Sequence, residues 1–528
     1  MNRLKIGLCV MAMVFAGVFR LGVAESEMDN MALSGALGTV TVDGEQWQRI
    51  SLRPDIPIGP FGVALDLELF INSKGEFSKK GWEFDTAQKA WDSVLRKIYY
   101  VRYGRPGRNA FIKVGALDNV TLGYGLIVNG YRNTLRYPGV KKTGLQFDLR
   151  GISSFGLEVE GLINDFGDFG DGGPLIAVRL SAQPLGRTRI PILGGLRVGG
   201  TYAVDLNQYA GLRDSDGDEV PDGLDPFPDD ETAWMNTDAD SLYGDTIPDY
   251  RMEKGHTDTT WVDVLDMNGN NIYDPDEAAT KGKAYRPGIF KGEEPFKKSD
   301  HKDRMAIWGV DVGLPLLRGP MDLDLYAQFA QLDTRKEGFE GGRALSGPGL
   351  RLRAGPLMAR LEYRNVEGRF QPEYFNDQYE LERARIVSKD IVTKESLLDS
   401  LSVNGVFGQA ALALGDYVRL GASYQYLTGE DQKDQRLYAD AMALPLILRQ
   451  VPQLNHLSAY YHKNNIDTEE AGFFEPTVGT IYGYKVGFEI GAGVTLMWTT
   501  EYQYKSKGDT KDVEREKFMT VETVINIR

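Results

Sequence analysis

Along much of this chain, apolar side chains fall at every second position, and that period leaves few folds open. Val63, Leu65, Leu67, Leu69 and Ile71 share one face, with Asp66 and Glu68 on the other. Met321, Leu323, Leu325, Ala327 and Phe329 oppose Asp322, Asp324, Tyr326 and Gln328. Val418, Leu420, Ala422, Tyr424 and Tyr426 oppose Arg419, Gly421, Ser423 and Gln425. Similar ribbons start at Leu145, Leu357 and Tyr482. Successive strand side chains point to opposite faces, so each ribbon has one apolar and one polar side.

The connections between ribbons narrow the choice further. Short turns such as Arg318-Gly319-Pro320, Gly355-Pro356 and Gly415-Asp416 alternate with long polar connections at 163–173, 206–303, 333–346 and 367–403. Many ribbons run to ten residues or more and end in rings such as Tyr363, Tyr426, Trp498 and Tyr504. A soluble sandwich must cover its apolar faces, and its strands usually span ~5–6 residues. Long ribbons, aromatic ends and one-sided long loops instead describe an all-β fold, a transmembrane antiparallel β-barrel. We count 18 ribbons, with an extra hairpin around Asp43-Gly44, and expect about 16–18 strands. One ribbon is placed at 119–128. Helices are expected over Ala87–Ile98, Tyr379–Leu401 and Asp431–Leu448, either folded into the lumen or capping a loop. Between 428 and 493 the long-short alternation fails, which implies a hidden strand at 464–479 or an unusually long turn.

The first 24 residues read as a leader. Arg3 and Lys5 precede an apolar stretch from Ile6 to Phe19, and Gly22-Val23-Ala24 supplies small residues for cleavage. Beyond Ala24 no run of 18 apolar residues occurs, so any membrane crossing must be made by strands. The sole cysteine, Cys9, lies in the leader and excludes a disulfide framework. A formal charge of −15 argues against nucleic acid as a partner. The expected organisation is a signal peptide at 1–24, barrel at 25–210, an acidic insertion at 211–300 and barrel again at 301–528.

The insertion carries most of the charge: 20 acidic residues and three basic ones lie between Gly211 and Glu277. Asp214, Asp216, Asp218, Asp222 and Asp225 occupy loop positions 1, 3, 5, 9 and 12, with the Val220 carbonyl at position 7. Alternate side chains of such a loop converge, and a hard cation taking six to eight oxygens relieves their repulsion. This stretch resembles a thrombospondin type 3 calcium repeat, with Glu219 where that family usually has glycine. A second loop places Asp266, Asn268, Asn270, Asp274 and Glu277 at the same positions, with Ile272 giving the carbonyl. It is similar to an EF-hand or dockerin loop, which implies Ca2+ with Glu277 bidentate. Asp238, Asp240, Asp245 and Asp249 echo the repeat out of register.

Catalytic signatures are sparse. His456 and Ser458 share one strand face, but the asparagine-bearing, glycine-flanked context of the calcium-dependent outer-membrane phospholipase is missing. Gly123-Tyr-Gly125 is too short for a phosphate loop, and Glu158 with Glu160 fits a lumen-facing strand better than a glycosidase. We therefore expect no enzyme. The expectation is a porin-like channel or uptake protein of the outer membrane with a structural, extracellular calcium loop; the alternative is a calcium-dependent surface attachment protein anchored by the barrel. Its partners would be the lipid bilayer, calcium and the barrel-assembly machinery. Arg150, Glu158, Glu160, Asp322, Asp324, Arg360, Glu362, Arg364 and Arg419 should line the lumen, with mixed sign and no ion preference.

Overall fold

The structure, a computed structural model, describes residues 32–42, 45–72, 97–135, 140–153, 155–188, 190–225, 228, 296–333, 340–387, 390–430, 432–463, 466, 475–477, 480–491, 494–506 and 513–527. Its wall is a single antiparallel sheet closed on itself. In chain order the strands are Ala32–Val42, Glu45–Ile58, Phe61–Leu65 with Leu67–Asn72, Ile98–Gly104, Ala110–Gly115, Gly144–Leu149, Glu158–Ile163, Leu175–Ala182 and Arg197–Asp205. After the insertion come Met305–Leu317, Met321–Asp333, Gly342–Ala354, Leu357–Gly368, Leu401–Leu414, Val418–Thr428, Lys433–Ala443, Leu454–Lys463, Ile481–Gly491, Val494–Ser506 and Val513–Ile527. Each pairs with the next, and Leu33 opposite Ile527 closes the ring. Among the described residues the wall contains 21 hydrogen-bonded strands, two of them halves of one ribbon broken at Asp66. Without the N-terminal hairpin, 18 staves run from Phe61 to Ile527, and the hairpin expected around Asp43-Gly44 adds two more.

The alternation determines which face looks where. On the outside, Leu180 is 51% exposed and Leu361 58%, while on the inside Arg179 and Glu362 are 2% and 1% exposed. A soluble protein would reverse that order. Here the apolar face meets lipid and the polar face fills the lumen, as in a transmembrane barrel. Tight turns close one end of the barrel, with Gly319 at φ +131° and Gly355 at φ +54°, conformations that favour glycine. The acidic insertion leaves from the opposite end.

Three expected elements take other forms. Residues 119–128 are not a wall strand. Leu122, Leu126, Ile127 and Val128 are buried inside the barrel rather than facing lipid, and positive φ at Gly123 and Gly125 bends the chain out of extension. The expected helix over Asp431–Leu448 is instead the strand Lys433–Ala443, with only Pro445–Leu448 helical. Its Ala, Leu and Gln favour a helix, but hydrogen bonding to strands on both sides outweighs that propensity. This strand restores the alternation of ends but not of lengths, since the connection before it, 429–432, has four residues and the one after it, 444–453, has ten. Most of 464–479 lies outside the described residues. Of the expected helix Tyr379–Leu401, only Tyr379–Glu382 is a regular α-helix; a hairpin of Ala384–Val387 and Asp390–Thr393 follows. The leader and most of Ala87–Ile98 lie outside the described residues.

Candidate functional site

Two long connections fold into the lumen and meet there. The first, residues 116–134, leaves the strand Ala110–Gly115 and crosses to the far wall. Gly123 N donates to Glu160 Oε1 at 3.1 Å, and Leu126 N to Gln328 Oε1 at 3.2 Å. The Tyr124 ring stacks on Tyr326 with centroids 4.3 Å apart, and the Arg351 guanidinium lies over the same ring, 4.6 Å from its centroid. A Cβ at Gly313 would stand 1.7 Å from the Tyr124 hydroxyl, so glycine there is what lets the ring reach the wall. The second connection, residues 369–400, joins the first through main-chain bonds: Glu373 N to Leu126 O at 2.7 Å and Phe375 N to Ile127 O at 3.1 Å. Together they form a plug whose apolar core contains Leu126, Val128, Tyr131, Phe370, Tyr374 and Phe375.

Charge fastens the plug to the wall. Arg383, fully buried, donates to Asp205 through Nε at 2.6 Å and Nη2 at 2.7 Å, and also pairs with Asp168. Tyr379 donates to Asp205 at 2.6 Å. Lys142 reaches Glu380 at 2.7 Å, and the Tyr131 hydroxyl donates to the same carboxylate. Lower down, Arg364 bridges Glu362 at 2.6 Å and Glu373 at 3.0 Å, while Arg360 holds Glu373 at 2.8 Å. Buried ions are tolerated when they are paired, and each of these is, although Lys142 Nζ, Glu380 Oε2 and Arg360 Nε make no hydrogen bond among the described residues.

The residues expected to line the lumen lie on the inner face. Glu160 pairs with Arg179 at 2.8 Å and Glu158 with Arg150 at 2.9 Å, so this carboxylate pair serves ion pairing. Asp324 holds Arg318 at 2.6 Å, while Arg360, Glu362 and Arg364 belong to the plug contacts. Asp322 Oδ1 accepts from Gly319 N at 3.3 Å, and Arg419 stands 3.9 Å from the Met442 sulfur. Sequence reasoning missed Lys142, Asp168, Asp205, Glu373, Glu380 and Arg383, which lie in segments read as loops, strand ends or helix. Their only signal is that of charged residues next to apolar aromatic runs such as Tyr374-Phe375.

Of the sites considered for catalysis, His456 Nε2 does meet Ser458 Oγ at 3.0 Å. Among the described residues no carboxylate is bonded to His456. His462 Nδ1 lies against the Gln378 amide of the plug.

At the end opposite the tight turns, the first acidic loop is folded around its own carboxylates. Oxygens of Asp214, Asp216 and Asp218 lie within 4.8 Å of one another. Asp214 accepts from Gly217 N at 2.7 Å and Glu219 N at 3.0 Å; Asp216 accepts from Asp218 N at 3.2 Å, and Asp218 from Val220 N at 2.8 Å. Burial and the Asp218 charge push the Asp216 carboxyl up to about 7. One oxygen each of Asp216 and Asp218 is buried without a hydrogen-bond partner among the described residues. Asp225 is buried, and Val220 is 1% exposed. Asp222 is turned to Ser215 N at 2.7 Å and Arg213 at 2.9 Å, and Lys298 salt-bridges Asp214 at 3.0 Å. Glu219, standing where the resembling family has glycine, adopts φ +79°. This donor set, hard oxygens crowded at one point, fits a calcium ion. Asp266, Asn268, Asn270, Ile272, Asp274 and Glu277, like the middle echo, lie outside the described residues.

No family model and no curated protein matches this chain. Among solved structures, OccK9 (OpdG) of Pseudomonas aeruginosa is 11% identical, with 95% of this chain and 100% of that chain covered and a TM-score of 0.28. Wzi of Escherichia coli, an outer-membrane protein involved in group 1 capsule assembly and described as a carbohydrate-binding β-barrel, is 12% identical over 95% of this chain and 85% of its own, with a TM-score of 0.30. OccAB2 of Acinetobacter baumannii is 9% identical over 96% and 100%, with a TM-score of 0.28. At these TM-scores the overlap is loose, and the barrel rests on the chain's own closed strand pairing.

Proposed function

We propose that the chain is a porin-like channel of the outer membrane, narrowed by an inward plug and carrying a structural calcium loop on the extracellular side. One contrast in burial supports this reading. Against the plug, inner-face side chains such as Gln328, Glu362 and Arg364 are sealed. On the strands Lys433–Ala443, Leu454–Lys463 and Val494–Ser506, where His462 touches Gln378 of the plug, Tyr438, Asp440, Ser458, Tyr460 and Glu501 remain half-exposed on the same inner face. An off-centre aqueous path between plug and wall accounts for a polar, wetted surface on one side only. Calcium accounts for the gathered carboxylates of Asp214, Asp216 and Asp218, and long loops lie outside the cell in barrels of this kind. Insertion would pass through the barrel-assembly machinery.

The test is single-channel recording in planar bilayers with the detergent-extracted protein, its closure checked by a heat-dependent gel shift. Because Cys9 is the only cysteine, a unique thiol can be placed on the inner face. Ser458→Cys should make the conductance sensitive to a charged thiol reagent, whereas a thiol replacing outward Val310 should not. A folded barrel that passes no current would reject the channel and favour the anchored attachment protein.

A further inference from the structure

Beneath Tyr124, at the tight-turn mouth, the lumen opens into a cavity of about 670 Å³. Arg150, Arg197, Arg318, Arg351 and Arg353 line it, with Asp322 and Asp324 the only carboxylates among the lining residues. We propose that this chamber binds small solutes bearing oxyanion groups, carboxylate or phosphate, a reading that rests on the channel proposed above and names its solute class.

Total charge does not decide the matter, because the nearby wall carboxylates Asp148 and Glu158 nearly balance the arginines. Which charge faces water does. Arg150 is 38% exposed in its side chain, whereas its partners Asp148 and Glu158 are 12% and 5% exposed. Arg197, 36% exposed, stands in front of the same Glu158 at 3.2 Å. Arg318, 54% exposed, and Arg351, 27%, share Asp324 at 2.6 and 3.1 Å, and that carboxylate is 11% exposed. In each case the anion is set back in the wall and the guanidinium presented to the cavity.

Two donors are left over. Arg351 Nε is buried without an acceptor among the described residues. Arg353 sits across the strand pair from Asp322 and makes no ion pair among the described residues. A guanidinium offers a planar fork of N–H donors that matches an oxyanion in two-point contact. Several such forks around a chamber of this size form a site for a small anionic molecule.

Below the cavity the chain takes a strained course to stay close. Ile192, which lines it, has φ +68°, rare for a β-branched residue. A Cβ at Gly195 would meet Pro315 at 2.2 Å, so this turn is packed tightly against the adjoining strand. The turn therefore limits the chamber at the tight-turn end of the barrel.

Titration calorimetry on the full chain in detergent at low ionic strength tests the site, with succinate, inorganic phosphate and neutral glucose as probes. Saturable heat with succinate or phosphate, and none with glucose, is expected; the relative strength of the first two shows which oxyanion is preferred. Arg353→Glu and Arg353→Gln should each weaken binding at least tenfold while keeping the heat-dependent gel shift of a closed barrel. Arg343→Glu, at the far end of the same strand, should bind as the unaltered chain does. Absence of saturable heat with both anions, or binding unchanged in both Arg353 variants, overturns the site. Bilayer recordings on the same preparations separate the two proposals: current without anion binding rejects the chamber alone, and binding without current rejects the channel alone.

Discussion

Arg383 and Asp205 meet in a two-point contact, 2.6 Å from Nε to Oδ2 and 2.7 Å from Nη2 to Oδ1, with both side chains wholly out of solvent. The aspartate ends a wall strand and the arginine follows the short helix of the plug, so this pair joins the plug to the wall. Replacing either residue strands the other charge in a dry site, a loss of about 3–5 kcal/mol for a buried pair. Arg383→Ala should thus undock the plug while the wall, held by its own ladder, stays closed. The measurement is hydrogen exchange over residues 370–383, which should accelerate strongly, while exchange in the strand Met321–Asp333 is unchanged. Equal acceleration in both would mean that the pair holds the barrel and not the plug.

Tyr124 is one of the plug's contacts with the wall. Its ring contacts both Tyr326 and Arg351, and truncation to alanine removes both contacts together with the packing on Gly313. Large-to-small changes at buried aromatic sites cost about 3–5 kcal/mol. Tyr124→Ala should raise single-channel conductance, because the residue roofs the 670 Å³ chamber and its loss joins that space to the lumen above. Unchanged conductance would place the current path elsewhere.

Asp165, in the connection after Glu158–Ile163, has its carboxyl pushed up to about 6, by burial and by the neighbouring Asp168 charge against the pull of Lys142. Thr143 N and Gly167 N donate to it at 3.0 and 3.1 Å, bonds that an amide oxygen can also accept. An acid whose folded value lies above its unfolded one stabilises the fold at low pH and loses that contribution as pH rises between the two. The window here runs from the ordinary aspartate range, near 3.8, to about 6. Asp165→Asn should therefore raise the midpoint of heat-induced unfolding at pH 8 relative to the unaltered chain, with no gain at pH 4. A gain that is the same at both pH values would show that charge is not the cause.

Most of the wall was legible in the sequence because lipid and lumen impose a period of two along the staves, broken only locally by bulges such as that between Ser346 and Gly349. The plug was legible only in part: Tyr379–Leu401 was expected either to enter the lumen or to cap a loop, and it enters, whereas residues 116–134 were not expected there, and the reason is physical. Leu122, Leu126 and Val128 are spaced like ribbon residues, yet they bury themselves against Phe370 and Phe375 inside the barrel, an environment as apolar as lipid. Two glycines at positive φ, Gly123 and Gly125, were the local sign of a bend. Lys433–Ala443 was misread because its helix-forming residues belong to a strand hydrogen-bonded on both sides. The ion pairs that fix the plug link positions such as Asp168 and Arg383, 215 residues apart, and no spacing rule within one segment can indicate them. The acidic loop stands differently: its alternating carboxylates are local, so Asp214, Asp216 and Asp218 could be chosen from spacing, and the structure brings their oxygens together. Asp222, also chosen, is instead engaged by Ser215 and Arg213.

Calcium binding to that loop gives the last prediction, and Glu219 provides its most specific arm. Its φ of +79° places a side-chain-bearing residue where glycine is cheapest, a cost of about 1–2 kcal/mol. The glutamate is nonetheless anchored, since its carbonyl accepts from Lys298 N at 3.0 Å and its carboxylate takes the Ser299 hydroxyl. Glu219→Gly relieves the strain, keeps the carbonyl and leaves every proposed ligand in place. Calcium should then protect residues 213–225 from proteolysis at a lower concentration than in the unaltered chain. Asp216→Asn combined with Asp218→Asn removes two charges from the cluster and should abolish the protection, while a chelator should expose the unaltered loop to cleavage. Magnesium should protect poorly, since it favours a smaller octahedral shell and retains its waters. Protection that is indifferent to both chelator and the double substitution would leave the loop held by its backbone bonds and by Lys298, with no ion required.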